Sequence, residues 1–241
     1  MNLIINLFNT ILYRPLFNVL ILLYQYLPGH DFGIAVIVLT ILIRIILYPL
    51  MIRSLKYQKV LSDLQPKIQE IQKKYNGDRE KQTKELVLLY QKEKINPFSG
   101  FLFLLIQLPI LIALYQVFWK GLRPEAMVNL YNFISNPGAL DPTFFGMINL
   151  AQPSLALAVL AGITQFYQTK MLTPKTPKRK QDQMTQFSEM MQKQMLYFFP
   201  IFTIFILWKL PAAIALYWIV TASFSIGQQY LIFRKEYVKP T

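Results

Sequence analysis

From Phe32 to Ile52 the chain runs for 21 residues with a single charge, Arg44. A stretch of Ile, Leu, Val and Tyr of that length predicts a membrane-spanning helix, because ~20 residues rising 1.5 Å each cross a hydrocarbon core of ~30 Å. The arginine makes the span conditional. At a helix centre in lipid it costs ~2.5 to 3.5 kcal/mol on insertion scales, and it does not deprotonate, so it needs polar surroundings. Two readings stay open. Arg44 lies eight residues before Ile52 and snorkels ~12 Å to the headgroups, or it is held in a polar hollow between helices.

The rest of the chain has the makeup of a small polytopic membrane protein, with 54% hydrophobic residues and a mean hydropathy of +0.34 over 241 residues. Its net charge of +13 gathers in two basic connections and the tail. The absence of cysteine excludes disulfides, thiolate metal sites and a lipoprotein anchor. His30, the single histidine, stands between Gly29 and Asp31 at a segment boundary and reads as a loop residue. Residues 1–13 contain no Lys or Arg, and no small-x-small site follows. Neither a cleavable signal nor a transit peptide is therefore expected, and a bacterial plasma membrane is the expected location.

Charge and periodicity divide the chain. Residues 1–31 predict a helix lying in the interface on the outer side: Asn6, Asn9, Arg14, Asn18 and Gln25 disfavour a span, Leu16, Leu20, Leu23 and Leu27 share a face, and Tyr24 and Tyr26 suit headgroup level. The first span is 32–52. Residues 53–96 then predict a water-exposed antiparallel helical hairpin: Tyr57, Leu61, Leu64, Ile68, Ile71 and Tyr75 form a heptad seam, Asn76-Gly77-Asp78 a turn, and Leu86, Leu89 and Tyr90 the return face. Pro66 should kink the first arm. Eleven Lys and Arg against six acids make this hairpin cytoplasmic. A second span at 97–119, an outer loop at 120–149, a third span at 150–169, a cytoplasmic basic loop at 170–193, a short fourth span at 194–208, a fifth at 212–233 and a cytoplasmic basic tail at 234–241 complete an all-α chain of five transmembrane helices.

Polar residues recur inside these spans. Thr40 lies one turn before Arg44; Gln107 and Gln116 fall in the second span, Gln165 and Gln168 in the third, Gln228 and Gln229 in the fifth. Each alone serves as interhelical glue, and with an intramembrane arginine they describe a hydrophilic cavity. The spans hold no Asp or Glu, which argues against a carboxylate proton relay. Tyr217 and Trp218 sit within the fifth span, and Met184, Met190, Met191 and Met195 border the fourth. No nucleotide loop, zinc spacing or nucleophile with its base is present, so neither an enzyme, a metal nor a cofactor is expected. An anion channel using Arg44, or a purely structural subunit, are the competing classes.

Ordered motifs then carry a resemblance. Thr40 to Leu50 (TILIRIILYPL), Leu64-Gln65-Pro66-Lys67-Ile68, Lys94-Ile95-Asn96-Pro97, Leu105 to Ile110 (LIQLPI), Ala113-Leu114-Tyr115, Phe199-Pro200, Leu216-Tyr217-Trp218-Ile219-Val220 and Gln228-Gln229 closely resemble the YidC/Oxa1/Alb3 family of membrane protein insertases, over residues 12 to 235. The short bacterial type, without a large periplasmic domain, fits best. The resemblance implies five helices around a groove open to cytoplasm and lipid. Arg44 is then the groove charge, Thr40 lies on the same wall, Tyr217 and Trp218 contact the client, Gln107 and Gln168 add to the lining, and the hairpin is the mobile region required for activity. It implies insertion and folding of nascent membrane proteins, alone or with the Sec translocon, in contact with lipid. Ribosome and signal recognition particle receptor are candidate partners, with no nucleic acid bound directly apart from any ribosome contact.

Overall fold

A computed structural model describes residues 2–94, 99–172 and 183–237. The basic cluster from Lys175 to Lys180, the centre of the 94–97 motif and the last four residues lie outside that set, as do the side chains of Met184, Met191 and Met195. The described chain is mostly helical.

The N-terminal helix is continuous. α1 (Asn2–Phe8) passes through a π-type turn at Asn9–Tyr13 into α2 (Arg14–Tyr26), with Pro15 in its first turn, where a missing N–H costs least. Leu3–Tyr26 spans 24 residues and is long and apolar enough to cross a membrane by length and composition. Its buried face coincides with the leucine stripe only at Leu20. Tyr13, Phe17, Leu20, Ile21 and Tyr24 are buried, whereas Leu16, Leu23 and Leu27 are half-buried, because the aromatic side dominates contact with the neighbouring helix: Tyr24 meets Phe32 edge-on. Tyr24 is correspondingly inside, and Tyr26 is 81% exposed.

α3 (Phe32–Ile46) is capped by Asp31, whose Oδ1 accepts from the Ile34 N–H at 2.8 Å. The uncharged run does not stay straight. It breaks at Leu47, and α4 (Tyr48–Lys74) leaves at 66° to α3 with Pro49 in its first turn, as expected where proline disfavours a helical residue before it. α4 then continues helically through Pro66.

A turn with Gly77 at φ 96° leads into α5 (Arg79–Lys92). Asp78 caps α5, and the Lys81 backbone N–H holds its carboxyl below the ordinary aspartate value. Leu64 and Ile68 are buried against Leu61, Leu86, Leu89 and Tyr90. Lys67 Nζ bonds Glu93 Oε1 at 2.8 Å, which holds Glu93 below the ordinary glutamate value.

α6 (Ser99–Lys120), α7 (Leu155–Leu172), α8 (Gln183–Leu207) and α9 (Ala212–Tyr237) complete the helices. α7 packs on α8 and α9, α9 on α3, and α3 on α2. Ala158, Ala161, Ala212, Ala213, Ala215 and Ala222 are fully buried, the small residues that let helix backbones approach closely.

The connection from Gly121 to Ser154 is ordered by long-range hydrogen bonds. Asn18 Nδ2 donates to the Asn129 carbonyl at 3.0 Å and Asn18 Oδ1 accepts from Tyr131 N at 2.7 Å. Arg14 reaches the Asn129 carbonyl and stacks over Tyr131, Gln25 reaches the Ser135 carbonyl, and the Tyr24 hydroxyl accepts from Asp141 N. A two-residue hairpin, β1 (Thr143–Phe144) with β2 (Ile148–Asn149), is antiparallel, and its Phe145 N–H bonds Asp31. Of the side chains that spoil the N-terminal helix as a simple apolar rod, Arg14, Asn18 and Gln25 are thus anchors of this connection. α7 begins at Leu155 rather than 150, because the intervening carbonyls are committed elsewhere: those of Leu150 and Gln152 accept from Ala213 and Ala212 N–H, the first donors of α9.

Besides Leu3–Tyr26, only the bent α3–α4 pair meets the same length-and-hydropathy measure among the described residues; Leu105–Lys120 within α6 and Leu196–Leu207 within α8 are apolar stretches. α7 and α9 fall below it for a physical reason. Thr164, Gln165, Gln168 and Thr169 on α7, and Thr221, Ser225, Gln228 and Gln229 on α9, lower their mean hydropathy.

Candidate functional site: a polar cleft around Arg44

The break at Leu47 leaves Arg44 at the inner corner between α3 and α4. Its side chain is 2% exposed. Nη1 donates to Met51 Sδ at 3.2 Å, from the first turns of α4, and the Tyr217 hydroxyl on α9 is a second neighbour of the guanidinium. Tyr217 is in turn bonded by Gln107 Nε2 of α6 at 2.5 Å. Next to it, Trp218 Nε1 donates to Gln165 Oε1 of α7 at 2.7 Å.

These groups surround a cleft of about 290 Å³, lined also by Ser54, Leu55, Gln168, Thr169, Thr221 and Ser225. Among the described residues no Asp or Glu lines it. Five helices supply polar side chains to it, Arg44 from α3, Ser54 from α4, Gln107 from α6 and the rest from α7 and α9: Tyr217, Thr221 and Ser225 recur every four residues on one face of α9, and Gln165, Gln168 and Thr169 stand three and four residues apart on one face of α7. On the other side of Arg44 the interior is apolar. Phe32, Ala35, Val36, Leu39 and the segment Ala212–Leu216 are buried there, toward the Gly121–Ser154 connection. The cleft's lining extends onto α4 through Met51, Ser54 and Leu55.

A comparison with protein families matches residues 22–239 to the family described as 60Kd inner membrane protein. A relative from Clostridium tetani named membrane protein insertase YidC is 35% identical over 209 residues, 87% of this chain and 84% of the relative. The chain belongs to the YidC family. It is a helical membrane protein of that family. A YidC relative from Syntrophobacter fumaroxidans is 36% identical over 227 residues, 93% of this chain but 38% of the relative, and one from Campylobacter jejuni is 33% identical over 235 residues, 96% of this chain and 40% of the relative. The chain thus spans about two fifths of the length of these longer YidC proteins. A crystal structure described as an active YidC insertase with its first transmembrane domain resolved superposes with a TM-score of 0.57 at 26% identity, over 90% of this chain and 46% of that one.

Within this YidC-family fold, Arg44, Gln107, Gln168, Tyr217 and Trp218 converge on the cleft. Thr40 does not line it: buried one turn away, it donates its hydroxyl to the Val36 carbonyl at 2.6 Å. Gln116 is half-buried away from the cleft, and Gln228 and Gln229 are buried beyond it. Met51, Ser54, Thr221 and Ser225 line it too, beside Gln165, Leu55, Thr169 and Leu172. The α9 pair was open to the same face-counting that links Thr40 with Arg44, whereas the α4 pair depends on the bend at Leu47, for which Pro49 was the signal.

Proposed function

We propose that this chain is a membrane protein insertase and membrane chaperone, which integrates and folds nascent membrane proteins through a cytoplasm-open polar cleft with Arg44 as its fixed charge. The observation that carries the reading is a nearly fully buried arginine on the wall of a cleft into which five helices bring polar side chains, with no carboxylate lining it among the described residues. The naming of its relatives as insertases supports it.

In this reading five helices, α3 with the start of α4, α6, α7, α8 and α9, cross a bacterial plasma membrane. The α4–α5 hairpin and the C-terminus are cytoplasmic, and the N-terminal helix and the Gly121–Ser154 connection lie outside. Carrying a hydrophilic segment across lipid is unfavourable because its peptide groups lose water without gaining partners. Glutamine and hydroxyl groups along α7 and α9 supply partners over part of the path. A cation in low dielectric attracts an acidic tail more strongly than one in water does. The client's apolar helix then leaves for lipid, where burial of ~20 apolar residues drives the step, helped by the membrane potential. The covalent structure of the client is unchanged. The Sec translocon, the ribosome and the signal recognition particle receptor are the proposed partners.

A photo-crosslinking residue in place of Trp218 tests this. Ribosome-bound nascent membrane proteins are expected to crosslink there and not from Val128, which is 84% exposed in the connection. Equal crosslinking at both positions, or none at Trp218, contradicts the reading.

A further inference from the structure

The partner of Arg44 in α4 is chemically unusual. A thioether is a weak acceptor, so Met51 Sδ, 3.2 Å from Nη1, orients the guanidinium without offsetting its charge. Met51 is 4% exposed but lines the cleft of about 290 Å³. A water molecule takes ~30 Å³ of liquid volume, so the cleft that Met51 lines has room for a solute of similar size such as hydrogen peroxide.

We propose that Met51 is a modification site, at which a peroxide oxidises the thioether to the sulfoxide and thereby weakens the charge Arg44 presents to a client. A sulfur lone pair not engaged by Nη1 attacks one peroxide oxygen. The S–O bond forms as the O–O bond breaks, and the proton on the transferred oxygen passes to the departing hydroxide, giving water. Sulfur loses two electrons and the peroxide gains them. The product places a strongly accepting, partly negative oxygen where a weak acceptor stood, beside a donor already in contact. Hydrogen bonds to charged groups strengthen with the acceptor, so the guanidinium, which already has Met51 and Tyr217 as neighbours, is held more tightly than before and competes less for an acidic tail.

This inference rests on the role proposed for Arg44, and the test separates the two. The full chain in vesicles is exposed to dilute hydrogen peroxide and quenched; mass spectrometry measures sulfoxide at Met51, and insertion is followed for one client with an acidic translocated tail and one with a neutral tail. Acidic-tail insertion should fall about fivefold in step with Met51 sulfoxide, the scale of exchanging a weak for a strong hydrogen bond at a charged group, with the neutral-tail client unaffected. Met51→Leu, whatever its starting rate, should keep that rate after peroxide, although Met147 and Met190, 80% and 59% exposed, still oxidise. The proposal is overturned if Met51 resists oxidation while Met147 and Met190 react, if its sulfoxide forms without loss of acidic-tail insertion, or if Met51→Leu loses as much as the parent. If Arg44→Ala inserts acidic tails as well as the parent, the underlying role of Arg44 fails instead.

Discussion

Arg44→Ala is expected to slow insertion of clients with acidic translocated tails by roughly ten- to hundredfold, the equivalent of the ~1.5 to 3 kcal/mol carried by a hydrogen bond to a charged group. Clients with neutral tails should change far less. The contrast matters because the substitution also empties space: the side chain is almost wholly buried against Met51 and Tyr217, and a packing defect alone would slow every client alike. Arg44→Lys should retain much of the acidic-tail activity, since the ammonium keeps the charge while losing the planar fork. Insertion rates in reconstituted vesicles for paired clients differing only in tail charge read the effect. Equal losses for both tails would reduce Arg44 to a structural role.

The second large effect concerns stability and sits on the far side of α7. A Cβ added to Gly162 would lie 2.4 Å from Ile204 Cγ1, 2.6 Å from its Cδ1 and 3.1 Å from the Pro200 carbonyl oxygen of α8. The isoleucine tip can rotate, but the carbonyl is backbone. Two effects oppose one another here. Alanine improves helix propensity by up to ~1 kcal/mol, whereas overpacking a close helix contact costs ~1 to 3 kcal/mol. Overpacking wins, so Gly162→Ala should destabilise by about 1 kcal/mol and Gly162→Leu by at least about 3 kcal/mol, as α8 is pushed away from α7. Gly227 is the internal control. A Cβ there meets nothing within 4 Å, and Gly227→Ala should be neutral or stabilising. Thermal unfolding in detergent of the three variants checks the order, and a destabilised Gly227→Ala beside an unaffected Gly162→Leu would reverse it.

What could be read from residues alone depended on whether the interaction was local. Leu61, Leu64 and Ile68 follow a heptad and meet the return face of Leu86, Leu89 and Tyr90, so their packing is written in spacing, and Asn76-Gly77-Asp78 carries its own turn chemistry. Arg44, Gln107, Gln168, Tyr217 and Trp218 stand out because polar groups are costly among apolar neighbours, and they meet at one cleft. The N-terminal helix was harder to read. Arg14, Asn18 and Gln25 look like defects in an apolar helix until their partners more than a hundred residues away are known. The leucine stripe told only part of the contact, since Leu20 is buried with Phe17, Ile21 and Tyr24 while Leu16, Leu23 and Leu27 are half-buried. The bend at Leu47 follows from Pro49, but the use made of it, folding Met51 back onto Arg44, required the three-dimensional path.

The claim on which everything else stands is that the cleft beside Arg44 is wet and reached from the cytoplasm. The chain has no cysteine, so a single Thr221→Cys on the cleft wall can be probed with a small membrane-impermeant thiol reagent, with Val128→Cys as the outside reference. Labelling of Thr221→Cys from the cytoplasmic face of oriented vesicles, and not from the outer face where Val128→Cys reacts, is the predicted result. Protection from both faces, with full reaction only after unfolding, or labelling from the outer face, would contradict it.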